Sequence, residues 1–489
     1  MTADAVFMME VSWDAAIVVT NPVTGESQTS PVSDVSGDLF LVKVSLDGSP
    51  DAIWTYRGAG SVSVSKLAPS MDGSSLAMAG GFRGNLTFGD KTIDARIGGD
   101  ETKFGGFIAV VSAATGDVAW AQHFTDEIKN TNVLDAVFDS EGNVAVTGTR
   151  CEFNVWDISL CDGFVKLLAA DDGSELWDRN FAGTGFEPFT SIDFADSKLF
   201  LSSAFVGETT VNSLVVASSS HEHADAMLLV LEADSGDGSW AATISGGQRA
   251  SSSHVKIKGD SIYLTCTGGC LEVRTSASDV IASFEGTYNG GIAKIGLDGT
   301  PAWTADVAGF DDIGLAVTDD AAYVAFYSTP TSQTYGDVTY SPWGGCFAGR
   351  EGTCDYLMAK IDAESGAGKW VLQSGGPGNE LILGNLDADA NGDVYAIGVT
   401  WSHPVYFDPI MVDTHSDMSG GSDGYDMFIA KLKTTDEKLP SCKTDATTIA
   451  DGFCFISNVC YEDGAASRNP DLAMCMTCSA GVSQMSFTQ

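Results

Sequence analysis

The chain has 489 residues, 44% of them hydrophobic, and sets 25 Lys and Arg against 66 Asp and Glu, a net charge of −41. That balance argues against nucleic acid, whose phosphates need clustered Lys and Arg, and against an anionic membrane surface. No apolar run of 18 residues exists to span a bilayer, and the 55 glycines fit many short strands and tight turns.

In chain order, the opening MTADAVFMMEVSWDAA lacks the basic start and apolar core of a signal peptide. Residues 6–23 read as two strands with no first strand before them. A strand then recurs seven times: GDLFLVKV from Gly37, GGFIAVV from Gly105, CDGFVKLL from Cys161, ADAMLLVL from Ala224, NGGIAKIG from Asn289, CDYLMAKI from Cys354 and YDMFIAKL from Tyr425. Six copies continue through an Asp-Gly, Thr-Gly or Ser-Gly turn into a strand bearing Trp54, Trp120, Trp177, Trp240, Trp303 or Trp370. Such dipeptides supply the positive φ of tight hairpins. Two more strands follow, clearest in residues 133–148, 255–266 and 383–398. Four short strands per unit of about 60 residues make a β-propeller blade.

The expectation is an all-β, seven-bladed β-propeller over residues 1–440, followed by a small disulfide-rich module over 441–489. The seventh copy has no Trp strand, so the simplest closure joins the N- and C-terminal strands in one composite blade. That closure removes open edges.

The Trp residues read as structural, each a large ring buried between blades with its indole N–H on neighbouring backbone. Asp38 and Lys43, Asp355 and Lys360, and Asp426 and Lys431 are five apart, on opposite strand faces. They are expected to pair across blades or with turn backbone. Asp387, Asp389, Asn391 and Asp393 match the first half of a calcium loop. The twelfth position is Gly398 rather than a bidentate Glu, and Asp139–Asn143 is a similar hairpin, so a plain turn is the first reading and calcium the second. His221, His223 and Asp225 form a metal corner on paper, though paired loop histidines are more often solvated.

Eleven cysteines point to disulfides and an extracellular or cell-surface location. Cys151/Cys161, Cys266/Cys270 and Cys346/Cys354 are local couples. Cys442, Cys454, Cys460, Cys475 and Cys478 crowd a tail too poor in apolar residues for a core of its own. There disulfides are favoured over zinc. Asn85-Leu-Thr87 is a glycosylation sequon. No G-x-S-x-G, P-loop or H-E-x-x-H occurs, no nucleophile sits beside a base, and no cofactor other than calcium is implied; the expectation is a non-enzyme.

Asp38, Phe40, Lys43, Asp162, Phe164, Lys166, Asp355, Lys360, Asp426, Phe428 and Lys431, with the Asn143–Gly148 strand, resemble the seven-bladed propeller repeat of bacterial secreted proteins. SAATGDVAW, ending at Trp120, resembles the tryptophan-docking repeat of quinoprotein propellers. The adjacent Cys-Cys pair of those dehydrogenases is missing, so the likeness implies architecture, not activity. In the tail, Cys454, Ile456, Cys460, Tyr461, Gly464, Asn469, Pro470, Cys475, Cys478, Ser483, Phe487 and Thr488 resemble a Cys-rich repeat of secreted multidomain proteins, as in mastigoneme-type fibrous glycoproteins. The combination implies a structural subunit of a filament, flagellar hair or surface coat, with other protein subunits as partners. The alternative is a carbohydrate- or protein-binding propeller of a secreted adhesin.

Overall fold

The computed structural model describes residues 5–432, except 14–15, 22–23, 32–35, 97–102, 127–128, 152–160, 182–188, 213, 220–223, 246–250, 276–278, 285–289, 308–311, 328–332, 336–337, 341–355, 376–379, 390, 401–404, 408–409 and 413–425, together with four short strands beyond 452. Among the described residues there is no helix. Two compact units, Met1–Thr304 and Ala305–Gln489, divide the chain.

In the first unit, β1 (Ala5–Trp13) is followed by a separate hairpin of β2 (Val18–Thr20) and β3 (Ser27–Thr29), then by β4 (Ser36–Ser45) and β5 (Pro50–Ala59). β1, β4 and β5 make blade 1. Blade 2 has β6 (Val62–Pro69), β7 (Ser75–Phe82), β10 (Gly105–Ser112) and β11 (Val118–Phe124), with a hairpin of β8 (Asn85–Phe88) and β9 (Lys91–Asp94) inserted after β7. Blade 3 has β12 (Asn130–Phe138), β13 (Val144–Cys151), β14 (Cys161–Leu168) and β15 (Glu175–Phe181). Blade 4 has β16 (Phe189–Ala195), β17 (Lys198–Phe205), β20 (Asp225–Glu232) and β21 (Gly238–Ser245), with the inserted hairpin β18 (Glu208–Val211) and β19 (Leu214–Ala217). Blade 5 has β22 (Ser251–Lys258), β23 (Ser261–Thr267), β26 (Gly290–Gly296) and β27 (Pro301–Val307), with the hairpin β24 (Glu272–Thr275) and β25 (Val280–Ser283).

In the second unit, blade 6 has β28 (Asp312–Val317), β29 (Ala321–Tyr327), β32 (Tyr356–Asp362) and β33 (Gly368–Gly375). Its inserted hairpin is β30 (Gln333–Tyr335) and β31 (Val338–Tyr340). Blade 7 has β34 (Glu380–Ala388), β35 (Val394–Thr400) and β38 (Asp426–Leu432), with the hairpin β36 (Val405–Phe407) and β37 (Ile410–Val412). In the tail, β39 (Phe453–Ile456) pairs with β40 (Val459–Glu462), and β41 (Thr477–Ser479) with β42 (Ser483–Thr488). The protein is thus all-β, with the seven blades of a β-propeller.

One expectation needs correction. β1 does not share a blade with the last repeat strand: it runs antiparallel to β4 from Ala5 opposite Ser45 to Trp13 opposite Ser36. β38 pairs with β35. The first and last blades therefore each have three blade strands among the described residues. Both strands are apolar on both faces, and their pairing buries Phe7 in one cluster with Leu39 and Leu41, with Met9 against it, and sets Met8 opposite Val42.

Within the first unit the cores lie between blades. One cluster joins Leu39, Leu41 and Tyr56 of blade 1 to Met78, Phe82 and Phe107 of blade 2; another joins Val165 and Trp177 of blade 3 to Leu201 and Leu229 of blade 4. Trp54, Trp120, Trp177 and Trp240 each lie against the next blade's turn glycine. A Cβ on Gly116 would stand 2.4 Å from the Trp54 ring, on Gly173 2.5 Å from Trp120, and on Gly236 2.9 Å from Trp177. The indoles of Trp120 and Trp177 donate to the carbonyls of Ala170 and Ala233 at 2.8 and 2.9 Å.

Gly173 has φ +69° as well as the Trp120 ring above it. Gly173→Val adds left-handed strain to an overpacked contact and should cost roughly 2–4 kcal/mol. Urea unfolding followed by Trp fluorescence would measure it, and a loss below about 1 kcal/mol would contradict the docking role.

Candidate interaction surface

The two ends of each first-unit blade differ. In an antiparallel four-strand blade, the turns joining strands 1–2 and 3–4 lie at one end, and the 2–3 connection lies at the other. At the first end the chain is cut to minimal turns, such as 70–74, 139–143 and 196–197. These turns bond to one another: Ala113 N–H donates to Ser74 O, Ala233 N–H to Ser197 O, and Ala170 N–H to Asn143 Oδ1. At the other end open the longer β7–β10, β13–β14, β17–β20 and β23–β26 connections.

Three of these excursions carry hairpins. β8–β9 extends blade 1 by pairing with the outer edge of β5, and β24–β25 extends blade 4 through β21. β18–β19 pairs only with itself among the described residues. Both disulfides seen in the structure sit at this end. Cys151 and Cys161 face each other across β13 and β14, and Cys266 at the end of β23 is bonded to Cys270. Cys346, Cys354, Cys442 and Cys475 lie outside the described residues, and Cys454, Cys460 and Cys478 lie in tail strands whose side chains are not described.

The innermost strands carry a second constellation. β6, β12, β16 and β22 each have a register shift near the same step of the ladder. A bulge inserts a residue and re-aims the side chains after it. Here those side chains reach the next blade. Lys66 Nζ lies 2.9 Å from Asp135 Oδ1, and Asp135 Oδ2 accepts Ile192 N–H at 3.0 Å. Ser191 Oγ accepts Val255 N–H, and Asp193 Oδ2 accepts Ile257 N–H at 2.7 Å. Burial pushes the Asp193 carboxyl up, opposed by the charge of Lys256, the N–H groups of Ile257 and Phe194, and Lys66.

The predicted residues fall as follows. Trp54, Trp120, Trp177, Trp240, Trp303 and Trp370 all occupy outer strands. Asp38 accepts Gly58 N–H at 3.0 Å inside its own blade. The recurrent lysines also pair inside their blades, with hairpin carboxylates rather than across blades. Lys43 meets Asp51 at 2.7 Å, Lys166 meets Asp178 at 2.8 Å, and Lys360 meets Asp320 at 3.5 Å. Asp38 and Lys43 take separate partners, Gly58 N–H and Asp51, while Asp355 lies outside the described residues and the side chain of Asp426 is not described.

Asp389 Oδ1 accepts the N–H groups of Asn391 and Asp393, just as Asp139 Oδ1 accepts those of Glu141 and Asn143. Lys431 stands 3.0 Å from Asp393 and 3.7 Å from Asp389, and Asp387 Oδ1 accepts Ala388 N–H. The segment has the geometry of an ordinary Asp-capped hairpin. His221 and His223 lie outside the described residues; Asp225 accepts from Ser219 Oγ at 2.9 Å. Among the described residues no group of three or more His, Cys, Asp or Glu is placed to hold a metal ion. Asn85 sits on β8, its Oδ1 accepting from Arg96 at 3.1 Å.

No family model and no curated protein matches the chain. Among solved structures it is similar to the Pan2 WD40 domain of Neurospora crassa (TM-score 0.35, 10% identity, 68% of this chain and 75% of that one). It is similar too to the Dos1 propeller (0.37, 10%, 74% and 72%). The quinohemoprotein alcohol dehydrogenase of Comamonas testosteroni compares at 0.37 and 10%, over 89% of this chain and 75% of that one. Likenesses of that degree say nothing about activity.

Glu10, on β1, is a carboxyl that sequence reading passed over. Burial lifts it from 4.5 to about 7, against a smaller opposing effect of the Val11 N–H. The folded chain therefore holds a proton that the unfolded chain has lost between those pH values. Stability from this group is full below pH 4.5 and falls as pH rises through 7. Glu10→Gln should raise the urea midpoint at pH 8 and leave it unchanged at pH 4. Equal midpoint shifts at both pH values would contradict the assignment.

Proposed function

We propose that the chain is a non-enzymatic extracellular structural protein, a subunit of a filament, flagellar hair or surface coat. It assembles with other protein subunits through its propeller loops and Cys-rich tail. The observation carrying this reading is the asymmetry of the first-unit blades: the long, disulfide-bearing excursions gather at one end, opposite an end reduced to bonded turns. Loops held at their bases by covalent bonds offer a contact surface with little ordering cost. Calcium bridging of acidic loops belongs to the same proposal and draws on the net charge of −41.

Electron microscopy of native material at its natural salt and calcium should show filaments of propeller-sized units that disperse in excess chelator. Filaments intact in chelator remove the calcium bridge, and monodisperse particles remove the filament.

A second reading, a glycan- or protein-binding propeller, draws on the unequal lengths of the same excursions, as in ligand-reading loops on rigid scaffolds. For either reading the secretory route predicts a glycan on Asn85. Mass spectrometry should find glycoforms that collapse to the polypeptide mass in Asn85→Gln; a single unmodified mass in the native protein excludes the modification.

A further inference from the structure

Blade 1 differs from blades 2–5 at the inner edge of its sheet. In those four blades the second strand is covered by an innermost strand: β6 on β7, β12 on β13, β16 on β17 and β22 on β23. β1 takes the second-strand place. Glu10 stands opposite Phe40 as Gly80 stands opposite Phe107 and Gly148 opposite Phe164. Along Val6–Val11, β1 pairs only with β4 among the described residues, and it ends the order of its sheet.

An edge whose N–H and C=O groups lack a ladder is a template for a further strand. Val6, Phe7 and Met8 on this edge are apolar and buried, no Pro or Lys lies between Ala5 and Trp13, and what blunts it is confined to its far end, in the buried Glu10 carboxyl and the register shift at Ser12/Trp13. The other blades show what covers such a place. At the Gly80 and Gly148 register the innermost strand brings a carbonyl, of Ser63 or Asn132, to within about 2 Å of where a Cβ would stand. At the same register in blade 5 the second strand carries Thr265, opposite Ile292. There Thr265 Oγ1 accepts the N–H of His254, a residue of the irregular stretch of β22, at 3.1 Å.

We propose that the inner edge of β1 is a β-addition site for an extended segment of another protein chain. That segment would complete blade 1 as its fourth blade strand, antiparallel to β1 and bulged opposite Glu10, with Glu10 in the role of Thr265. Main-chain pairing would supply the affinity, and the residue facing Glu10 would supply the selection. A carboxylate there, on a chain already strongly acidic, admits a neutral or basic residue and repels an acidic one. The proposal needs no filament, since dispersed protein presents the same edge.

The test uses the full chain and a labelled peptide copying residues 60–70, the chain's own model of an innermost strand, with fluorescence anisotropy at pH 8. The expected result is saturable binding, weakened at least tenfold when the peptide carries S65E and restored when that peptide meets Glu10→Lys protein. A scrambled peptide should not bind. No binding by the copy peptide would overturn the proposal, because the edge is then closed or unsuited to a strand. Binding that ignores the charge at residue 10 would overturn it as well, by placing the peptide elsewhere, for example at β7 in exchange for β6.

Discussion

Contact between successive blades is the constraint on which the rest of this structure depends. A four-stranded blade has two apolar faces and cannot bury either alone, so each blade is finished only by its neighbour. The tryptophan on the outer strand fixes that contact at the rim, where the indole of Trp54, Trp120 or Trp177 lies against a turn glycine one blade ahead. Glycine is required there twice over: its backbone has a positive φ, and a side chain would occupy the space of the ring. A turn residue and a core residue about 60 positions apart are thereby one interaction.

At the inner strands the same blades are joined by polar chemistry. A bulge at a recurring step turns Lys66, Asp135 and Ser191 toward the following blade, where they meet a carboxylate or a strand N–H. Rim and centre divide the work. Apolar area supplies most of the attraction, while the inner hydrogen bonds fix how far one strand slides along the next. Blade 1, which starts at β1, has the rim contact through Trp54, and among the described residues no innermost strand joins it to blade 2.

The sequence displayed the rim plainly, because tryptophans at near-equal spacing and Asp-Gly or Ser-Gly turns are strong local signals. It displayed the centre poorly. Lys66, Asp135, Ser191 and Asp193 are chemically unlike one another, and what they share is a bulge, which leaves no residue signature. The inserted hairpins were also missed. Their signal was present in short alternating runs about a turn, as in Asn85-Leu-Thr-Phe-Gly-Asp-Lys-Thr-Ile93, but four-residue strands fall below the length at which period-two patterning stands out. The composite blade failed for a related reason. Counting strands cannot tell which partner β1 takes, and the match of Phe7 and Met9 to the β4 face decided it.

The minimal turns have a consequence for how these molecules meet. Asp is the capping residue in many of them, with Asp47, Asp72, Asp172 and Asp298 each accepting a backbone N–H two residues on. Those bonds hold the carboxyls of Asp72, Asp172 and Asp298 below their ordinary range. Turn chemistry thus keeps carboxylates ionised at the turn ends of blades 2, 3 and 5, even in mild acid. Two such ends repel, so approach between copies of this unit is biased away from turn end against turn end. A preference in the direction of encounter is written into the protein by residues whose local task is only to close a hairpin.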